Sequence, residues 1–223
     1  MTQHTKRVLL FANGDLPSPE KILAQISDED FLVAVDGGLR HMIALNLTPD
    51  LIIGDLDSAD PGDVQRYQAQ GVEVRKYPID KDDTDLELAI QAARELGPKS
   101  IRIIAALGNR LDQTLGNIFL LTQPQLADDD IRLIDGVQEV FLIHKATAIH
   151  GLEGQRVSLL PLLGPVEGIQ TEGLKYPLEN EMLYPDRTRG ISNQMTADSA
   201  TVTITKGVLL CIHETTEPTE RSG

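Results

Sequence analysis

The chain is predicted to be an α/β protein: a mostly parallel, Rossmann-like α/β domain followed by an all-β sandwich domain. Three observations lead there. Short apolar runs alternate with helix-patterned segments through about residue 125, the signature of parallel strands joined by crossover helices. After Pro124 the texture changes to β-branched runs punctuated by Gly and Pro, with no convincing helix, as in a small sandwich. Polar or acidic residues also recur just past successive strands of the first half, where open α/β sheets place their ligand crevice. The boundary falls within 124–138, so the domains are taken as 1–130 and 131–223.

In order, Arg7 to Ala12 reads as a strand ended by Asn13 and Gly14. A short helix over Ser18 to Ile26 leads to the strand Phe31–Val35, which Asp36, Gly37 and Gly38 stop. Leu39 to Leu45 is a helix, and Leu51–Ile53 a third strand. A polar helix from Pro61 to Gln70 ends at Gly71, and Val72 to Tyr77 alternates as a strand that Pro78 closes. The helix from Leu86 to Ala93 stops at Gly97 and Pro98, ahead of a strong strand from Ser100 to Leu107. A turn at Gly108 and Asn109 opens the helix Leu115 to Leu121, capped by Asp112 or Thr114. The later strands are Ile131–Ile134, Glu139–Ile143, Gln155–Leu160, Val166–Thr171, Ala200–Thr205 and Val208–His213.

Composition narrows the function. With 223 residues and 41% hydrophobic content the chain can bury a core, which argues against global disorder. A net charge of −14 excludes a broad basic face for nucleic acid. Aromatics at 4% and no Trp leave few stacking platforms for bases. The single cysteine, Cys211, sits in a buried-strand pattern and excludes a disulfide framework or thiolate cluster. No apolar run approaches a membrane span, and Asn13, Gly14 and Asp15 interrupt any signal-peptide core, so the expected location is cytoplasmic. Walker and Gly-x-Gly-x-x-Gly patterns are absent, and the five histidines lack metal-site spacing.

The chemistry concentrates in acidic turns. Asp55 and Asp57 follow a strand directly. Two carboxylates at ~4 Å repel by roughly 4 kcal/mol at an effective dielectric near 20. Such a pair belongs on a solvated loop or around a cation, and hard oxygen donors suit Mg²⁺. The competing reading is an acidic N-cap for the helix that Pro61 opens. The run Asp80-Lys-Asp-Asp-Thr-Asp85 holds four carboxylates and a lysine ahead of a helix. Capping by Thr84 and the helix dipole, the competing reading, need one or two acids and not four; the functional reading gives Asp85 to a metal shared with Asp55 and Asp57, with Lys81 facing phosphate. Arg110 can clamp a phosphate and Asp112 can orient it or a nucleotide hydroxyl, against a plain surface ion pair as the alternative. Ser192 and Asn193 are either turn residues or donors to a heterocycle edge.

Taken together, these segments resemble the thiamine pyrophosphokinase family. The matching motifs are Asp36-Gly-Gly38, Pro49-Asp-Leu-Ile-Ile-Gly-Asp-Leu-Asp-Ser58, Tyr77-Pro-Ile-Asp-Lys-Asp-Asp-Thr-Asp85, Gly108-Asn-Arg-Leu-Asp-Gln-Thr-Leu-Gly-Asn117, Gly173-Leu-Lys-Tyr-Pro-Leu178 and Gly190-Ile-Ser-Asn193, in family order over about residues 8 to 212. The resemblance implies a pyrophosphoryl transfer from ATP to thiamine, giving thiamine diphosphate and AMP. It implies Mg²⁺ on Asp55, Asp57 and Asp85, with Arg110 also catalytic. Asn13, Asp36, Asp80, Lys81, Thr84, Arg110, Asp112 and Gln113 are implied on the nucleotide and phosphate side. Ser192 and Asn193 are implied at the thiamine, in a homodimer with active sites between subunits. The sequence departs from the family at Gln113, where bacterial members often carry a His, so no acid–base role falls there. It departs again after Asn193, where relatives place an aromatic and this chain has Met195, whose sulfur can pack on a ring. A pyrophosphokinase of a hydroxymethylpterin and a non-catalytic thiamine sensor are the rival readings.

Overall fold

Val8, Leu9, Leu10 and Phe11 are each at most 2% exposed. The strand Arg7–Phe11 (β1) therefore has apolar cover on both faces, which a parallel sheet flanked by helices supplies. The computed structural model describes residues 7–80, 82–108 and 110–217. It divides into two units, Met1–Gly136 and Val137–Gly223. In the first, β1 pairs in parallel with Asp30–Val35 (β2) on one side and Ser100–Ile104 (β5) on the other, so Arg7 lies in register with both Asp30 and Ser100. Leu51–Gly54 (β3) and Glu73–Lys76 (β4) extend the sheet beyond β2, and Ile131–Ile134 (β6) extends it beyond β5. The order is β6-β5-β1-β2-β3-β4.

Strand alternation sends each apolar run to two cores. Leu9, Phe11, Leu32, Ala34, Ile52 and Ile104 form one core with Ile22 of Pro19–Leu23 (α1), Leu39 and Met42 of Leu39–Ala44 (α2), and Val64 and Tyr67 of Pro61–Ala69 (α3). Asp85–Glu95 (α4) packs on β1, β2 and β3 and buries Leu86, Ala89, Ile90 and Ala93 outside that core. It covers the opposite face, to which Leu10, Val33, Val35 and Ile53 point by the same alternation. Leu111–Leu120 (α5) follows β5. Pro61 opens α3, and the Asp60 carboxylate caps it by accepting from the Gly62 and Asp63 amides at 2.8 and 3.1 Å. Thr84 Oγ1 caps α4 by accepting from Glu87.

The second unit is built from β strands, with no helix among its described residues. Gln138–Ile143 (β7), Leu209–Glu214 (β14), Arg156–Pro161 (β9) and Asn193–Gln194 (β12) form one antiparallel sheet, ordered β12-β9-β14-β7. Ala146–His150 (β8), Ser199–Thr203 (β13), Val166–Glu172 (β10) and Glu181–Leu183 (β11) form another, ordered β11-β10-β13-β8. Both sheets share one core: Ile143, Val157, Leu159, Leu209 and Cys211 from the first, and Ile149, Val166, Ile169, Ala200 and Val202 from the second.

The division differs from the expected 1–130 and 131–223. β6 pairs in parallel with β5 and lies in the first unit, so the boundary falls after Gly136. A strand of a covered parallel sheet has the same apolar make-up as a sandwich strand, and only its pairing separates them. No helix among the described residues is long and apolar enough to cross a membrane.

Candidate active site

The chain runs outward from β1 through β4, then crosses back to place β5 on the other side of β1. The loops after β1 and β5 therefore lie at the switch point of the strand order, where open α/β sheets place their ligand crevice. A cleft of about 720 Å³ lies there, within the first unit. Asn13, Gly14 and Asp15 follow β1 along one wall, while Ala105 to Gly108 and the start of α5 supply another. The two loops are joined by backbone bonds, Gly14 N–H to Ala105 O at 2.7 Å and Asp15 N–H to Leu107 O at 3.3 Å. A Cβ on Gly14 would sit 2.4 Å from Ala105 O, so this approach requires glycine.

Carboxylates gather beside this cleft. One oxygen each from Asp36, Asp55 and Asp57 lie within 4.8 Å of one another. The backbone forces the gathering. Asp36 has φ 48° and Leu56 has φ 64°, left-handed values that non-glycine residues adopt only when their surroundings hold them there. Leu56 turns the chain so that Asp55 and Asp57 face one place. Gly54, at φ 144°, has no side chain where a Cβ would lie 3.1 Å from that of Asp36. Amides hold the acids: Asp55 accepts from Asp57 N–H at 3.1 Å, Asp36 from Ser58 N–H at 3.3 Å, and Asp85 from Asp55 N–H at 3.1 Å. The Ser58 hydroxyl donates to Asp57 at 2.9 Å. Because Asp60 is the cap of α3, capping does not account for Asp55 and Asp57. Carboxylate oxygens are hard donors, so in chemistry the cluster suits a hard cation such as Mg²⁺.

The other expected residues are placed as follows. Asn13, Asp36, Thr84, Asp85, Arg110, Asp112 and Gln113 line the cleft. Asp80 is exposed and does not line it, and Lys81 lies outside the described residues. Arg110 is paired with Asp112 in a fork, Nε to Oδ1 at 2.9 Å and Nη2 to Oδ2 at 2.5 Å. The hydrogen bonds from Arg110 hold the Asp112 carboxyl down at about 2, so it stays ionised. Sequence reasoning passed over Asp15, Ser58, Glu87 and Asn117, which also line the cleft. Asn117 stands one helical turn past Gln113 on α5, a spacing that marks the same face; its Nδ2 donates to Ala106 O at 2.7 Å and braces the loop after β5.

In the second unit, Ser192 is exposed with φ 59°, and its amide donates to Ser158 Oγ at 3.0 Å. Asn193 is buried, and its amide brackets the backbone of Tyr176, accepting from its N–H at 3.0 Å and donating to its carbonyl at 2.7 Å. The segments Gly173–Tyr176 and Asn193–Thr196 are thereby tied together, with further bonds from Lys175 N–H to Gln194 O and from Thr196 N–H to Gly173 O. Tyr176 is left 62% exposed. Met195, expected as a possible ring contact, is 1% exposed and belongs to the core.

Residues 23–134 match the family described as "Thiamin pyrophosphokinase, catalytic domain", which is half of the chain. The chain belongs to the thiamine pyrophosphokinase family. Residues 143–209 match "Thiamin pyrophosphokinase, vitamin B1 binding domain". A thiamine pyrophosphokinase from Bacillus subtilis (strain 168) is 31% identical over 196 residues, covering 86% of this chain and 92% of the relative. The crystal structure of the Bacillus subtilis thiamine pyrophosphokinase superposes with a TM-score of 0.84 at 27% identity, over 95% of this chain and all of that one. That of the Geobacillus thermodenitrificans thiamin pyrophosphokinase gives 0.81 at 26% identity, over 95% and 98%. In thiamine pyrophosphokinase terms, the carboxylate cluster and the cleft residues from Val35 onward fall within the stretch matched as catalytic, and the Asn193–Tyr176 tie within the stretch matched as vitamin-binding.

Proposed function

We propose that this protein is an ATP-dependent thiamine pyrophosphokinase, transferring the pyrophosphoryl group of ATP to the thiamine hydroxyl to give thiamine diphosphate and AMP. One observation carries the reading: Asp36, Asp55 and Asp57 converge beside the crevice at the carboxyl edge of the parallel sheet, in a chain of this family. The thiamine oxygen forms a bond to the β-phosphorus as the bond from that phosphorus to the bridging α–β oxygen breaks. AMP leaves with the electron pair, and the hydroxyl proton passes to a carboxylate of the cluster. Such transfers are governed by positioning and charge neutralisation.

Asp55 and Asp57, with Asp36 beside them, would hold Mg²⁺, and Asp85 supports Asp55 from the start of α4. The bound metal would offset negative charge on the phosphate oxygens. Arg110 exchanges Asp112 for phosphate, since its fork is exposed and matches either partner. Asn13, Thr84 and Gln113 border the same cleft, and Asp80 and Lys81 belong to the loop that leads into α4. The second unit, read as a sandwich, takes the vitamin, with Ser192 as a direct contact and Asn193 acting through Tyr176. The reading includes a homodimer with active sites at the subunit interface, testable by sedimentation, and a cytoplasmic location.

The deciding experiment follows AMP formation from ATP and Mg²⁺ with and without thiamine. Thiamine-dependent AMP with an equal amount of thiamine diphosphate is the expected result. AMP formed only with a hydroxymethylpterin would replace the acceptor, and thiamine binding without AMP would make the protein a sensor.

A further inference from the structure

Arg40 and His41 stand at the start of α2, and neither lines the cleft. Both side chains nevertheless reach back to the loop that does. Arg40 Nη2 donates to the carbonyls of Asn13 and Gly14, each at 2.9 Å. His41 Nε2 lies 2.8 Å from the same Gly14 carbonyl. A carbonyl oxygen only accepts, so Nε2 carries the proton and His41 is the second donor. The loop is thus gripped through its carbonyls from α2 and through its Gly14 and Asp15 amides by Ala105 and Leu107. The Asn13 side chain lies against the residue that follows Asp36. A Cβ on Gly37 would fall 2.4 Å from Asn13 Nδ2, so the Asn13 amide lies directly over the turn that begins with Asp36. The path runs from Arg40 and His41, through the Asn13 and Gly14 carbonyls, to the Asn13 side chain packed over Gly37, the residue next to Asp36.

We infer that Arg40 and His41 are positioning residues for the nucleotide side of the reaction: they fix the loop after β1, and through Asn13 the placement of Asp36, without touching substrate. The inference rests on the ATP reading above. Both Arg40 bonds come from the single nitrogen Nη2, and an ammonium also carries several N–H donors, so lysine at 40 retains the charge and the donors on a stem of different reach. A glutamine at 41 retains an N–H donor on a side chain of similar reach.

The test measures ATP·Mg²⁺ affinity by calorimetry and both Michaelis constants for Arg40→Met, Arg40→Lys, His41→Ala and His41→Gln, with folding followed by circular dichroism. Displacing a positioned group by a fraction of an ångström has large kinetic effects, so the KM for ATP is expected to rise about ten-fold in Arg40→Met and His41→Ala. The KM for thiamine stays at its wild-type value, Arg40→Lys recovers part of the loss seen in Arg40→Met, and His41→Gln recovers most of the loss seen in His41→Ala. Wild-type ATP affinity in folded Arg40→Met and His41→Ala overturns the inference, as does an equal rise in the thiamine KM. If His41→Ala fails to fold, the exposed Arg40 decides alone. A wild-type protein that binds no ATP overturns the functional reading and the inference with it; one that binds ATP as tightly as Arg40→Met does overturns the inference only.

Discussion

The backbone amide of Asp55 donates to the carboxylate of Asp85 at 3.1 Å, across thirty residues of sequence. Asp85 is the first residue of α4, where the helix dipole favours a negative charge. One carboxylate therefore serves both the start of a helix and the turn that presents Asp55. Asparagine at 85 keeps an acceptor for the Asp55 amide and alanine does not. Asp85→Asn is expected to retain at least about ten-fold more AMP-forming activity than Asp85→Ala, since the acceptor maintains the geometry that catalysis requires. Equal losses in the two variants would assign Asp85 to the metal by its charge alone.

Asp57 has no structural duty comparable to the caps at Asp60 and Thr84. Asp57→Asn should lower kcat at least about a hundredfold, the scale expected for removing one group that stabilises developing charge. Thermal unfolding without Mg²⁺ should stay level or rise, because one of three mutually repelling carboxylates is gone. Mg²⁺ should raise the melting temperature of the wild type and not of the variant, by linkage to the folded state. Retained activity would remove Asp57 from the metal site.

Asn193 makes two hydrogen bonds to Tyr176, and both are lost in Asn193→Ala. The loss is expected to destabilise the protein by about 1–3 kcal/mol, read from the urea midpoint. The thiamine KM should rise and the ATP KM should not. An ATP effect of similar size would show that the tie has nothing to do with the vitamin.

Asp30 accepts from Arg7 at 2.8 and 2.6 Å and from the Ser27 amide at 2.8 Å. Burial alone would push its carboxyl up, but the Arg7 and Ser27 bonds outweigh burial and hold it below the ordinary carboxylate value. A depressed folded-state pKa contributes stability above the unfolded value, near about 3.9, and loses it as pH falls through the folded one. Asp30→Asn should therefore be less stable than wild type at pH 7, with the gap closing below about pH 4. A gap of constant size in acid would mean that the pair contributes through shape rather than charge. The measurement is urea unfolding across that pH range.

The parallel sheet was legible because Val8 to Phe11, Val33 to Val35 and Leu51 to Ile53 are apolar without alternation, which only two-sided burial explains. The acidic turns were legible because four carboxylates in Asp80–Asp85 exceed what a helix start can use. The close partnership of Asp36 with Asp55 and Asp57 was not, since it depends on left-handed backbone at Asp36 and Leu56 and on the missing side chain at Gly54. Nothing in residue type separates an Asn that bonds a neighbouring backbone from one that bonds a ligand, so the grip of Asn193 on Tyr176 was hidden too. The strand β8 escaped because Ala146, Thr147 and Ala148 carry little apolar pattern and only Ile149 is buried.

The register that sets Arg7 opposite both Asp30 and Ser100 has a consequence for synthesis. β2 is available to β1 soon after both leave the ribosome, but β5 is not complete until Ile104 has been made. Over that interval the side of β1 destined for β5 offers free backbone groups along a Val-Leu-Leu-Phe run, the kind of open edge that pairs with other chains. Slow elongation across residues 36–104 prolongs that exposure and favours aggregation of the nascent chain, whereas the finished protein has the edge closed.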